Sequence, residues 1–170
     1  MISEKQFWDL IDRSINEKNS IDKNEQGDCL MNILAKQPID KIAGFHNRMV
    51  LLREALRSPM MGDIAFMMKY GDNEHAYEGF RNWVISLGEG HYGKAKDSPA
   101  HLLTLVDPKL FVVGRAYFQD LNFVAQAAFF EKTGKDFGDW YLALEKEGQP
   151  NKERILEIKK RRDNEQDLNR

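Results

Sequence analysis

Cysteine is nearly absent from this chain of 170 residues, which carries only Cys29. A single thiol excludes an internal disulfide framework and a cysteine-based zinc cage. Long apolar runs are missing as well. Stretches such as Ile64–Met68 and Leu102–Val106 fall far short of the roughly 18 apolar residues that span a bilayer. The first residues, Met1–Phe7, lack the basic segment followed by an apolar run that marks a secretory leader, so the expected location is cytoplasmic. No sign of charge dominates either. With 25 basic and 27 acidic residues the net charge is −2, which excludes the strong basic footprint of a dedicated nucleic-acid binder.

Motifs that carry chemistry are also lacking. There is no HExxH, no GxSxG nucleophile elbow, no GxGxxG and no phosphate-binding GxxxxGK[ST]. The four histidines, His46, His75, His91 and His101, include no pair at the i, i+4 spacing of a helical metal site. No catalytic residue, metal site or cofactor is therefore expected.

What remains is a chain rich in helical pattern. Hydrophobic residues make up 42%, enough for a core and too much for general disorder. Ser3 with Gln6 reads as a capping box, and Ile2 with Phe7 as a hydrophobic staple, so a first helix begins there. A second is expected from Lys23 or Asn24 to Lys36, or from Asp28 if Gly27 weakens its first part enough to delay the start. Ile42, Phe45, Met49, Leu52 and Leu56 alternate spacings of three and four through a third. The segment Met60–Gly71 is apolar all round, which predicts a short helix buried on most sides, its methionines serving as pliable core and Gly71 as its stop. Asp72 or Asn73 caps a helix with Ala76, Tyr77, Phe80, Trp83, Val84 and Leu87 inward. Residues 89–99 read as a turn with a short helix, and His101–Leu105 as a further short helix or turn. Val112-Val113 is a strand seed without a partner run, so no sheet is assigned. A helix over Leu121–Thr133 stops at Gly134. The fold class that follows is all-α: a compact multi-helix domain over residues 1–148 with a charged helical tail over 149–170.

Charge divides unevenly between these parts. Residues 151–170 hold seven basic and five acidic residues, while the preceding 150 hold 18 basic and 22 acidic. The run Lys159-Lys160-Arg161-Arg162 leaves weak nucleic-acid contact open for the tail alone, without the interleaved aromatics that single-strand binding uses.

The strings Phe7-Trp8-Asp9-Leu10-Ile11, Ile42-Ala43-Gly44-Phe45-His46 and Phe80-Arg81-Asn82-Trp83-Val84-Ile85-Ser86-Leu87-Gly88 come in a distinctive order. Tyr92, Asp97-Ser98-Pro99 and Ala128-Phe129-Phe130-Glu131-Lys132-Thr133-Gly134 follow. Over about residues 5–136 the chain resembles the bacterial domain-of-unknown-function family 4240. The resemblance implies a helical fold and supplies no established activity. Such proteins carry a glycine-, cysteine- and aspartate-rich turn before Phe80; here it reads Gly71-Asp72-Asn73-Glu74-His75-Ala76-Tyr77-Glu78-Gly79.

Five residues are candidates for contact with a ligand or partner: His46, Asp72, Glu74, Glu78 and Arg81. Glu74 and Glu78 lie four apart on one helix and share a face. With His75, and with Asp63 and Asp97 as further acids, they could hold a cation or supply acid–base chemistry. They could equally cap a helix start, where carboxylates favour the macrodipole. Arg81 between two core aromatics must reach solvent or find a carboxylate. It is either an ion pair with Glu78 or Asp72 locking two helices, or an anchor for an anionic group. His46 is either a satisfied core histidine or part of a cleft beside Arg81.

Two functions follow. One is a non-catalytic helical protein-binding module, an immunity or antitoxin-like protein whose partner is a basic protein such as a toxin. The alternative is an enzyme or small-ligand-binding domain with a cleft near His46, Arg81 and the Asp72–Glu78 turn.

Overall fold

The computed structural model describes residues 1–18, 23–71, 73–105, 118 and 120–148. Asp72, Val112-Val113 and the whole tail from 149 onward lie outside these residues.

The described residues form helices and no strands, as the all-α reading requires. They are α1 (Glu4–Lys18), α2 (Lys23–Ala35), α3 (Ile39–Ala55), α4 (Pro59–Met67), α5 (Glu74–Ser86), α6 (Glu89–Asp97), a 3-10 helix (Pro99–Thr104), α7 (Leu121–Thr133) and α8 (Phe137–Lys146). None of the described helices is long and apolar enough to cross a membrane.

Local chemistry sets most of the boundaries. The Ser3–Gln6 capping box forms: Gln6 N donates to Ser3 Oγ at 3.2 Å, and Ser3 N donates to Gln6 Oε1 at 3.1 Å. Ile2 and Phe7, the two ends of the staple, are both buried. Ser58 caps α4 by accepting from Met61 N, and Asn73 caps α5 by accepting from Ala76 N at 2.8 Å. Gly134 ends α7 in the left-handed region at φ 64°.

α2 begins at Lys23, the first of the starts read from the sequence, and Gly27 does not delay it to Asp28; the Phe118 ring stands 3.3 Å from where the Gly27 side chain would begin. Phe118 N also donates to Gly79 O at 3.0 Å, so this residue ties α2 to α5. Residues 89–97 form a full helix rather than a turn with a short helix.

α7 lies against α2 and α3, and α1 packs on α2 and α3 as well. α5 packs on α3 and α6. The shared core is centred on Phe7, Ile11, Leu30, Leu34, Phe45, Phe80 and Phe129, all with essentially no exposure. Phe7 stacks on Phe45 with ring centroids 4.6 Å apart, which fixes α1 on α3. Gln26 is a buried polar strut: its Nε2 donates to Ser14 Oγ on α1 and to Ser86 O on α5.

Candidate functional site

Arg81 is the largest fully buried side chain among the described residues, at 0% exposure. The helical stripe of α5 turns it toward α3, not outward. Its Nη1 lies 3.2 Å from Glu54 Oε1 and its Nη2 lies 2.9 Å from Glu74 Oε1. The guanidinium also donates to Arg53 O at 3.3 Å and lies 4.4 Å from the centroid of the Tyr77 ring. The sequence reading of an ion pair that locks two helices therefore describes the geometry. Its partners among the described residues are Glu54 and Glu74 and not Glu78, while Asp72 lies outside those residues.

Glu78 belongs to the same assembly through a different cation, with Arg53 Nη1 at 2.5 Å from its Oε1. Arg57 completes it by pairing with Glu54 at 3.3 Å and with Glu74. Three arginines from α3, α5 and the turn after α3 thus meet three glutamates from α3 and α5. Arg53 Nη1 and Asn82 Nδ2 both donate to Asn122 Oδ1 of α7, the second at 3.0 Å. Burial lowers the Arg53 pKa and the nearby Arg81 adds to that, while Glu78 and Glu54 oppose it. For Arg57, burial works downward too, but Glu74 and Glu54 outweigh it and the pKa rises.

His46 is placed elsewhere. It packs edge-on against Trp140 of α8, with ring centroids 5.5 Å apart. Its Nδ1 is buried without a partner among the described residues. Burial pushes its pKa down to about 4, and Arg53, two turns along α3, pushes the same way. This is a neutral core histidine. Asp63, His75 and Asp97 are exposed on separate elements. No group of three or more metal-ligating side chains converges among the described residues.

The surface beside this network has the opposite character. α4 follows its cap Ser58, whose carbonyl accepts from the Tyr77 hydroxyl at 3.5 Å. Met61, Ile64, Ala65 and Met68 are buried, within about a 100° arc of the helix. The far side presents Met60, Phe66 and Met67, exposed by 55%, 64% and 56%. Asp63 lies among them. The expectation of a helix buried on most sides is thus corrected, and half of the methionine group is surface. Uniform hydrophobicity hid this, since a helix apolar all round gives no phase from which to read its inner face.

The turn after α4 holds Phe66 in place. Lys69 takes the left-handed conformation at φ 71°, the role expected of Gly71. Tyr70 N reaches back to Ala65 O at 2.7 Å. Gly71 is needed for close approach instead: a side chain there would start 2.6 Å from Phe66 Cα.

One further pair was invisible at the level of spacing. His91 of α6 and His101 of the 3-10 helix meet with Nδ1 and Nε2 3.1 Å apart. Ten residues and a turn separate them, so no single-helix rule finds the pair.

No curated protein and no solved structure matches the chain. A family model described as a protein of unknown function, DUF4240, matches residues 2–131. That span takes in every member of the arginine–glutamate network and the whole of α4. With most of its length matched, the chain belongs to the DUF4240 family.

Proposed function

We propose that the chain is a non-catalytic, immunity- or antitoxin-like binding module that takes a basic partner protein on the outward face of α4. The observation that carries this is the exposure of Met60, Phe66 and Met67 on a helix whose other face is already buried. Contiguous apolar surface is costly in water, and methionine and aromatic side chains adapt well to a partner. The close packing of Gly71 on Phe66 supports the same reading, because it presents the ring from a fixed backbone. The first 150 residues hold 22 acidic and 18 basic side chains, and Asp63 lies within the face, which favours a basic partner over an acidic one.

The arginine–glutamate network lends nothing to the ligand-cleft alternative, since each of its charges already faces an opposite one.

The test is affinity capture on the full chain from the cells that make it, in parallel with a Phe66→Ser/Met67→Ser variant. One basic protein is expected on the wild type and not on the variant, with capture weakening as salt rises. Equal capture by both chains, an acidic partner, or none at physiological salt overturns the proposal.

A further inference from the structure

We propose that His91 and His101 form a two-imidazole site for a divalent transition-metal ion such as Zn2+, with water completing the coordination shell. The inference is independent of the α4 face. The two ring nitrogens stand 3.1 Å apart, with ring planes inclined by 15° and centroids at 5.4 Å. Zinc–imidazole bonds are about 2.0–2.1 Å long, so an ion bonded to both nitrogens at this separation subtends an angle of about 100°. That angle lies between the square and tetrahedral arrangements that imidazole-bound ions adopt.

Both rings are half-buried, which leaves solvent access for the remaining coordination positions. Their elements restrict them: α6 and the 3-10 helix pack together, joined through Ser98 and Pro99. The sites of attachment are therefore held, and binding does not have to gather two loose side chains. Without metal, one imidazole donates an N–H to the other across this gap. With metal, each shared nitrogen presents its lone pair, and each ring carries its proton on the other nitrogen. No net proton is released from a neutral pair.

Lys94 lies near His91 and opposes an arriving cation, so binding in the micromolar range is expected rather than the tight binding of a closed four-ligand site.

Zn2+ titrated into the full chain tests this by calorimetry and by nitrogen NMR of the imidazoles. One equivalent is expected to bind. The resonances of His91 Nδ1 and His101 Nε2 shift, and His91→Ala and His101→Ala each weaken binding at least tenfold. His75→Ala leaves it unchanged. If either variant fails to fold, the wild-type NMR decides alone. Unchanged imidazole resonances at saturating Zn2+, shifts confined to other histidines, or wild-type affinity in the folded variants would each overturn the site.

Discussion

Two neighbouring helices of this protein invert the usual placement of side chains. α5 buries Arg81, Asn82 and Ser86 completely, while α4, one turn earlier in the chain, holds Met60, Phe66 and Met67 in water. The inversion has a different physical basis on each side. On α5 the charge is tolerated because Glu54 and Glu74 face it within hydrogen-bond reach. Such an arrangement is weak as a source of stability but severe when one member is removed. On α4 nothing within the described fold compensates the exposed hydrocarbon. The first helix is therefore held by its own partners, and the second is available to someone else's.

The comparison breaks most sharply at Arg81. Arg81→Met takes one cation from both Glu54 and Glu74 and leaves Arg53 and Arg57 to face three carboxylates, and unfolding by urea is expected to show a loss of about 3–5 kcal/mol. Adding Glu54→Gln recovers part of it, since the second change restores two cations against two carboxylates.

Acid tests the charge balance without a mutation. His46 titrates near 6.5 when unfolded and at about 4 when folded, because burial and Arg53 oppose its cation. A depressed folded-state pKa means stability that is present above 6.5 and lost as pH falls toward 4. The loss is expected to approach about 3 kcal/mol. In His46→Leu that part of the pH dependence disappears, measured as the difference between the two stability–pH curves.

Gly71→Ala sharpens the α4 side. Its new methyl group would start 2.6 Å from the Phe66 backbone, so the turn must shift. A loss of about 1–3 kcal/mol is expected in chemical denaturation. The smallest effect belongs to Phe66→Ser/Met67→Ser, which should change stability by no more than about 0.5 kcal/mol. A larger loss there would mean that α4 supports the fold, and the contrast with α5 would collapse.

The sequence made the helices legible wherever capping and periodicity agreed. The Ser3 box, the Phe80, Trp83 and Val84 part of the α5 stripe and the Gly134 stop all stand where local chemistry puts them, while Ala76, Tyr77 and Leu87 are only partly buried. Tyr77, Phe80, Trp83 and Val84 could be phased because polar residues interrupt them. α4 could not, having almost no polar residue to mark its outer side. Among the site residues, Arg81 was legible as a buried cation needing a carboxylate. Its partner Glu54 was not, because that choice depends on how α3 and α5 cross. His46 and Arg81 appeared as neighbours of one cleft only through their shared polarity. Asp72 and the basic tail lie outside the described residues.

Asn122 carries a consequence of its own. One side-chain oxygen on α7 accepts from Arg53 on α3 and from Asn82 on α5. If α7 lifted away, Asn82 Nδ2 would lose its acceptor and Arg53 Nη1 would be left with Glu78 alone, each at a cost. Local opening of α7 alone is thereby suppressed. Its backbone amides are bound to exchange with solvent on the schedule of α3 and α5, as one cooperative unit assembled from segments far apart in the chain.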